Sequence, residues 1–215
     1  KRQFTMSENP FSQPSSLPMQ APPFDRIEEQ HYLPALRAGI AEKRRQVNAI
    51  ADWKEPASFS NTFEALERSG ALLNRVNAVF SAMTSANTSP ALQEIDETIS
   101  PELAALDDEI MLNSKLFARL DSVYQQRHQL ALDPESLRLT EVVWRAFQLA
   151  GASLSEQQKT ELKALNQEAA TLSTRFGNRL LAATKAGGLT VNDAAMLAGL
   201  SLSLIHISEP TRLRR

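Results

Sequence analysis

Apolar residues recur every three to four positions through most of the chain, the period that gathers them on one face of a helix. Leu36, Ile40, Val47 and Ile50 are spaced in this way, and Pro34 ahead of them suits a first helical turn, so a helix is predicted to about Ala51. A second is predicted from "SNTFE", where Asn61 and Glu64 resemble a capping box. Its pattern of Phe63, Leu66, Leu73, Val76, Phe80 and Met83 runs straight through Gly70, at a cost of about 1 kcal/mol against Ala. Ser89-Pro90 marks the next start, and Ser100-Pro101-Glu102 either kinks that helix or restarts it. "LNSKLFARLDSVYQQRHQL" predicts a helix capped by Asn113 or Ser114, and Asp133-Pro134 opens another that stops at Gly151.

The sixth segment is the longest. It runs from a Ser155 cap, with Gln158 placed to complete a capping box, to Gly187-Gly188, and spans on the order of 45 Å at helical rise. Leu162, Leu165, Ala169, Leu172, Phe176, Leu180 and Ala183 form its apolar stripe, with Glu161, Lys163, Gln167, Glu168, Thr171 and Arg175 outside it. After it, Leu189 to Val191 suit a brief extended piece, and Asn192 or Asp193 caps a short helix. Two stretches break the helical period. "NPFSQPSSLPMQAPPF" carries Pro10, Pro14 and Pro18 with Pro22-Pro23, and is predicted to lie extended along a surface. From Leu200 to Leu204 apolar residues and Ser alternate strictly, the period of a strand, with no strand upstream to pair with it. The predicted class is all-α, with no internal repeat and no linker long enough to part domains.

With 215 residues the chain can bury a sizeable core without staples, and Cys is absent, which excludes disulfides, Cys-ligated zinc and thiol catalysis. A net charge of -2 argues against a nucleic-acid partner, which needs a concentrated basic face. The one compact basic run, Lys43-Arg44-Arg45, would be splayed around a helix as a solvated face. No apolar stretch approaches the roughly 20 residues that span a bilayer. The N-terminus is basic without an apolar segment behind it, so a cytoplasmic location is expected, with neither membrane nor nucleic acid as partner.

Candidate chemistry is thin. His31, His128 and His206 lie far apart, and none begins an H-E-x-x-H pair. Glu28 and His31 form one Glu-x-x-His unit, but di-iron bundles need two, so the pair is read as a helix-start feature. Asp107-Asp108-Glu109 points round a helix and does not converge as an acid–base dyad would, which reads as a solvated face. Gly187-Gly188 ends a helix where a phosphate loop would open one. No catalytic, cofactor-binding or metal residue is assigned in this chain.

The stretches "NPFSQPSSLPMQAPPFDRIEEQHYLPALRAGI", "SNTFEALERSGALLNRVNAVFSAM", "LNSKLFARLDSVYQQRHQLAL" and "LNQEAATLSTRFGNRLLAATKAGGLTVND" resemble the N-terminal region of the thimet oligopeptidase family of zinc metallopeptidases. The likeness is to the bacterial peptidyl-dipeptidase branch in preference to the oligopeptidase A branch, and it covers residues 6 to 201. It implies an N-terminal helical lobe of a larger, mostly helical, two-lobed peptidase whose deep channel admits short peptides and releases C-terminal dipeptides. It further implies one zinc, held by an H-E-x-x-H helix and a later carboxylate, all in the missing C-terminal half of the same chain. On this reading the present residues form channel wall, bind no zinc and have no activity by themselves. A self-contained helical binding module is the alternative.

The resemblance also bears on the ends. Residues 202 to 215, "LSLIHISEPTRLRR", stand where a further helical run is expected, and they resemble the translation of a sequencing adapter. "KRQ" resembles the same at the other end. Residues 1 to 5 and 202 to 215 are therefore expected to be non-native, with Met6 as the native start.

Overall fold

The computed structural model describes residues 8–187 and 193–201. The end segments 1 to 5 and 202 to 215, Met6, His206 and the extended piece expected at Leu189 to Val191 lie outside those residues. The chain divides into two units, residues 1–176 and 177–215. All regular structure among the described residues is helical, as the periodicity predicts.

The first unit opens on the Pro-rich segment, which holds one 3-10 turn at Pro18–Gln20. The segment is anchored more firmly than a surface strap. Phe11 is buried against Tyr32, which in turn meets Phe80, with ring centroids 5.5 and 5.4 Å apart. Asn9 is buried as well, its side-chain amide donating to the His31 carbonyl at 2.9 Å, while Arg75 Nη2 donates to the Phe11 carbonyl at 2.9 Å.

Helix α1 spans Glu29–Ala51 and so starts a turn before the expected Pro34. The cause is local: the Glu28 backbone N–H donates to His31 Nδ1 at 2.9 Å, a reciprocal cap that uses a histidine in place of the usual Glu or Gln. Pro34 sits inside the helix, where it forgoes one i→i−4 hydrogen bond. Halfway along, Gly39 lets α1 approach the next long helix, since a Cβ there would lie 2.8 Å from Leu73 Cα.

The second predicted helix starts earlier than expected and breaks in the middle. Its cap is Ser58, not Asn61: the Ser58 N–H donates to Asn61 Oδ1 at 2.9 Å and the Asn61 N–H to Ser58 Oγ at 3.2 Å. From there a π-helical turn, Phe59–Glu64, leads into the short α2, Ala65–Glu67. Gly70 then stops the run. Its φ of +77° is left-handed, its N–H donates to Gln46 Oε1 at 2.7 Å, and α3 restarts behind it at Ala71–Ala86. Pro101 does the reverse, because α4 runs unbroken through it from Pro90 to Met111, capped by Ser89.

Helix α1 packs chiefly on α3 and α4. Arg37 reaches Glu102 at 2.6 Å and Arg44 reaches Glu109 at 2.5 Å, the same seven-residue step on each helix, which shows α1 and α4 running parallel and in register. Exposed pairs of this kind contribute about 0–1 kcal/mol each, and they mark the register more than they hold it. Tyr32, Leu36, Val47, Val76, Ile99 and Leu106 fill the space between these helices.

Helix α5, Ser114–Gln126, is capped by Asn113, and α6, Pro134–Ala150, by Asp133, whose carboxylate accepts from two backbone N–H groups. They join through a stack in which Tyr124 and Trp144 lie 3.9 Å apart and nearly parallel. Helix α7, Glu156–Ala186, begins with the predicted reciprocal cap of Ser155 and Gln158. Much of its apolar stripe faces outward. Leu165, Leu172 and Phe176 of the apolar stripe are 63%, 56% and 68% exposed. The half-buried side carries Leu162, Asn166, Ala170 and Thr174 instead. In the second unit, described by itself, the last turns of α7 leave Leu180 exposed, and Asp193 caps a 3-10 turn at Ala194–Leu197 by accepting from the Ala195 N–H at 2.9 Å.

Candidate functional site

Each residue weighed for chemistry has a definite place. His31 is buried at the start of α1, and its Nδ1 lone pair is engaged by the Glu28 backbone, so the Glu28–His31 unit is the helix-start feature it was read as. His128 does not lie on a helix: α5 ends at Gln126, and His128 is exposed in the turn beyond. Gly187 follows the last residue of α7, the stop expected of it, while Gly188 is outside the described residues.

The acidic run does splay, though not wholly into solvent. Asp107 is exposed, Glu109 pairs with Arg44, and Asp108 is buried with only 7% of its surface accessible. Asn166 donates to Asp108 Oδ1 at 2.6 Å. Burial nonetheless holds the Asp108 carboxyl above the ordinary aspartate range, because withdrawal from water outweighs that hydrogen bond. Burial likewise pushes up Asp96, on the same helix. Lys43, Arg44 and Arg45 diverge as expected: the stem of Lys43 lies against Gly70, Arg44 meets Glu109 and Arg45 is exposed.

Two cations, one half-buried and one buried, escaped the sequence reading. Arg119, on α5, donates to the carbonyls of Trp53 and Glu55, both at 3.0 Å, and to Asn61 Oδ1 at 2.9 Å, thereby fixing the loop between α1 and the π turn. Lys159 is 3% exposed and bridges α7 to α5, with Nζ 2.6 Å from Ser114 Oγ and 3.1 Å from Glu156 Oε1. The Ser114 hydroxyl and the Lys159 ammonium hold the Glu156 carboxyl below its ordinary range. Both cations point to structure: their partners are backbone carbonyls and capping groups.

One concavity lies where α1, α3 and α4 meet. It is an open groove of about 370 Å³ bordered by Lys43, Asn74, Asn77 and Asp107. A second hollow of about 290 Å³ shares Lys43, Asn74 and Asp107 and extends to Val142 and Phe147 on α6. Among the described residues no group of three or more His, Asp or Glu side chains is placed to hold a metal ion. No described helix is long and apolar enough to cross a membrane.

No family model matches the chain. Curated relatives do. The chain is 57% identical over 196 residues to a dipeptidyl carboxypeptidase of Salmonella typhimurium, covering 91% of this chain and 29% of that protein. It is 53% identical over 193 residues to a dipeptidyl carboxypeptidase of Escherichia coli, covering 90% and 28%. To an oligopeptidase A of Salmonella typhimurium it is 24% identical over 184 residues, covering 86% and 27%. The chain thus spans less than a third of the length of these relatives. The all-helical fold and these likenesses together place it in the family of the bacterial oligopeptidases and dipeptidyl carboxypeptidases. Within that family it corresponds to the N-terminal region of the dipeptidyl carboxypeptidase branch.

Proposed function

We propose that residues 6 to 201 are the N-terminal helical region of a zinc-dependent peptidyl-dipeptidase, which removes C-terminal dipeptides from short peptides. The observation that carries this reading is the contrast in identity: 57% and 53% to two dipeptidyl carboxypeptidases, against 24% to an oligopeptidase A. On this reading the chain builds channel wall and contributes no catalytic group. Zinc, with its bound water and general base, belongs to the C-terminal part of the protein. The enzyme works in the cytoplasm, and residues 1 to 5 and 202 to 215 are foreign to it.

What the present residues do is mechanical. The caps at Glu28, Ser58, Asn113, Asp133 and Ser155 start each helix at a fixed point, while Gly39, Arg119 and Lys159 set how the helices sit on one another. A wall so built excludes folded proteins by shape, and selectivity for short peptides follows from that. Reading the source DNA onward from codon 201 tests the proposal. An in-frame H-E-x-x-H downstream supports it, and a stop codon close by would favour a self-contained helical binding module.

A further inference from the structure

We propose that the groove between α1, α3 and α4 is a binding site for a small zwitterionic peptide, a dipeptide with an apolar side chain. The site rests on what borders it. Lys43 from α1, Asn74 and Asn77 from α3, and Asp107 from α4 all line the same hollow. None of these four side chains has a hydrogen-bond or ion-pair partner among the described residues. Lys43 and Asp107 carry opposite charges across one hollow and do not neutralise each other, whereas Arg37 and Arg44, on the same helix as Lys43, each reach a carboxylate of α4.

The adjoining hollow keeps polar groups, Glu67 and Ser69 among them, and turns apolar toward α6. Starting from the same Lys43, Asn74 and Asp107, it passes Ile110 and Met111 to Val142 and Phe147. The two volumes, about 370 and 290 Å³, lie at and just below the lower end of the range that takes small organic ligands. A ligand matched to this surface has a carboxylate for the Lys43 ammonium, an ammonium for the Asp107 carboxylate, a peptide bond for the two carboxamides, and an apolar side chain for the Val142 end. A dipeptide carries all four. A polyanion would be repelled by Asp107, and a purely apolar ligand would leave Lys43 and Asp107 unanswered.

This inference deepens the proposed function, since a free dipeptide is the product of that reaction, and it rests on that reading for its biological sense. Its test does not. Titrating the 215-residue chain with L-alanyl-L-leucine, followed by amide nuclear magnetic resonance, should give saturable shifts at Lys43, Asn74 and Asn77. Lys43→Gln and Asp107→Asn should each weaken binding about tenfold or more, the loss expected for one charge-assisted hydrogen bond. N-acetylating the dipeptide should weaken it on the unaltered chain by a similar factor, and should leave Asp107→Asn indifferent to the change. Absence of saturable shifts in the groove, or equal binding of the free and acetylated dipeptides by the unaltered chain, would overturn the proposal whether or not the variants fold. Failure here alongside dipeptide release by the longer protein rejects the groove and leaves the peptidase reading intact, and the converse result separates them the other way.

Discussion

Asn166 donates its side-chain amide to the Asp108 carboxylate at 2.6 Å, tying the middle of α7 to the buried side of α4. Together with Lys159 on Ser114, this bond sets the rotation of α7. It turns a side bearing Asn166 inward and leaves Leu165, Leu172 and Phe176 outward. Two polar anchors override the apolar pattern of the helix.

Asp108 makes stability depend on pH in a direction opposite to most carboxylates. Its folded pKa is raised by burial, so the folded state holds the proton more tightly than the unfolded one. The resulting stabilisation is complete below the ordinary aspartate value of about 3.9 and is lost as pH rises through the raised value. Asp108→Asn keeps an acceptor for Asn166 and removes the charge. Its melting temperature, compared with the unaltered chain, should therefore be relatively higher at about pH 7 than at about pH 3.5. A difference that stays constant across that interval would show that Asp108 is not held in a costly charged form.

Gly39 and Gly70 should both resist alanine, for separate reasons. At Gly39 the new methyl would meet the α3 backbone at Leu73, and forcing two packed helices apart costs about 1–3 kcal/mol. At Gly70 the strain is conformational, since a side chain at φ +77° costs on the order of 1–3 kcal/mol, and the Lys43 stem adds a clash 2.6 Å away. Urea unfolding of the two variants would measure both. If either matches the unaltered midpoint, the close approach or the left-handed turn assigned to it is absent.

The sequence shows where helices begin wherever the cap is answered within three residues by a standard partner. Asp133 and Ser155 with Gln158 cap as read, and of Asn113 and Ser114 the structure selects Asn113. It misleads at α1, because a histidine at the third helical position accepts the capping bond and the pattern for Ser or Thr with Glu misses it. It misleads again at Gly70, where the break depends on Gln46 and Lys43 from another helix. The facing of α7 was hidden for the same reason: periodicity marks an apolar stripe but cannot say what that stripe meets. The groove was equally illegible, since Lys43, Asn74 and Asp107 are neighbours only once three helices have packed.

The outward stripe of α7 carries its own expectation. Exposed Leu165, Leu172 and Phe176 should make the chain bind a hydrophobic dye and self-associate. Replacing all three by Gln should abolish dye fluorescence while leaving the circular dichroism of the helices unchanged. Loss of helicity in that variant, or no dye binding by the unaltered chain, would mean that the stripe is covered in solution.

Dipeptide release measured alongside metal content tests most directly the proposal that this chain is the non-catalytic N-terminal region of a zinc peptidyl-dipeptidase. The assay takes a blocked tetrapeptide and compares the 215-residue chain with the same residues joined to the C-terminal remainder of a dipeptidyl carboxypeptidase relative. The joined protein should hold about one zinc per molecule and release a C-terminal dipeptide, whereas the short chain should do neither. Tightly held zinc with turnover in the short chain, or a joined protein that folds, binds zinc and releases nothing, would contradict the account.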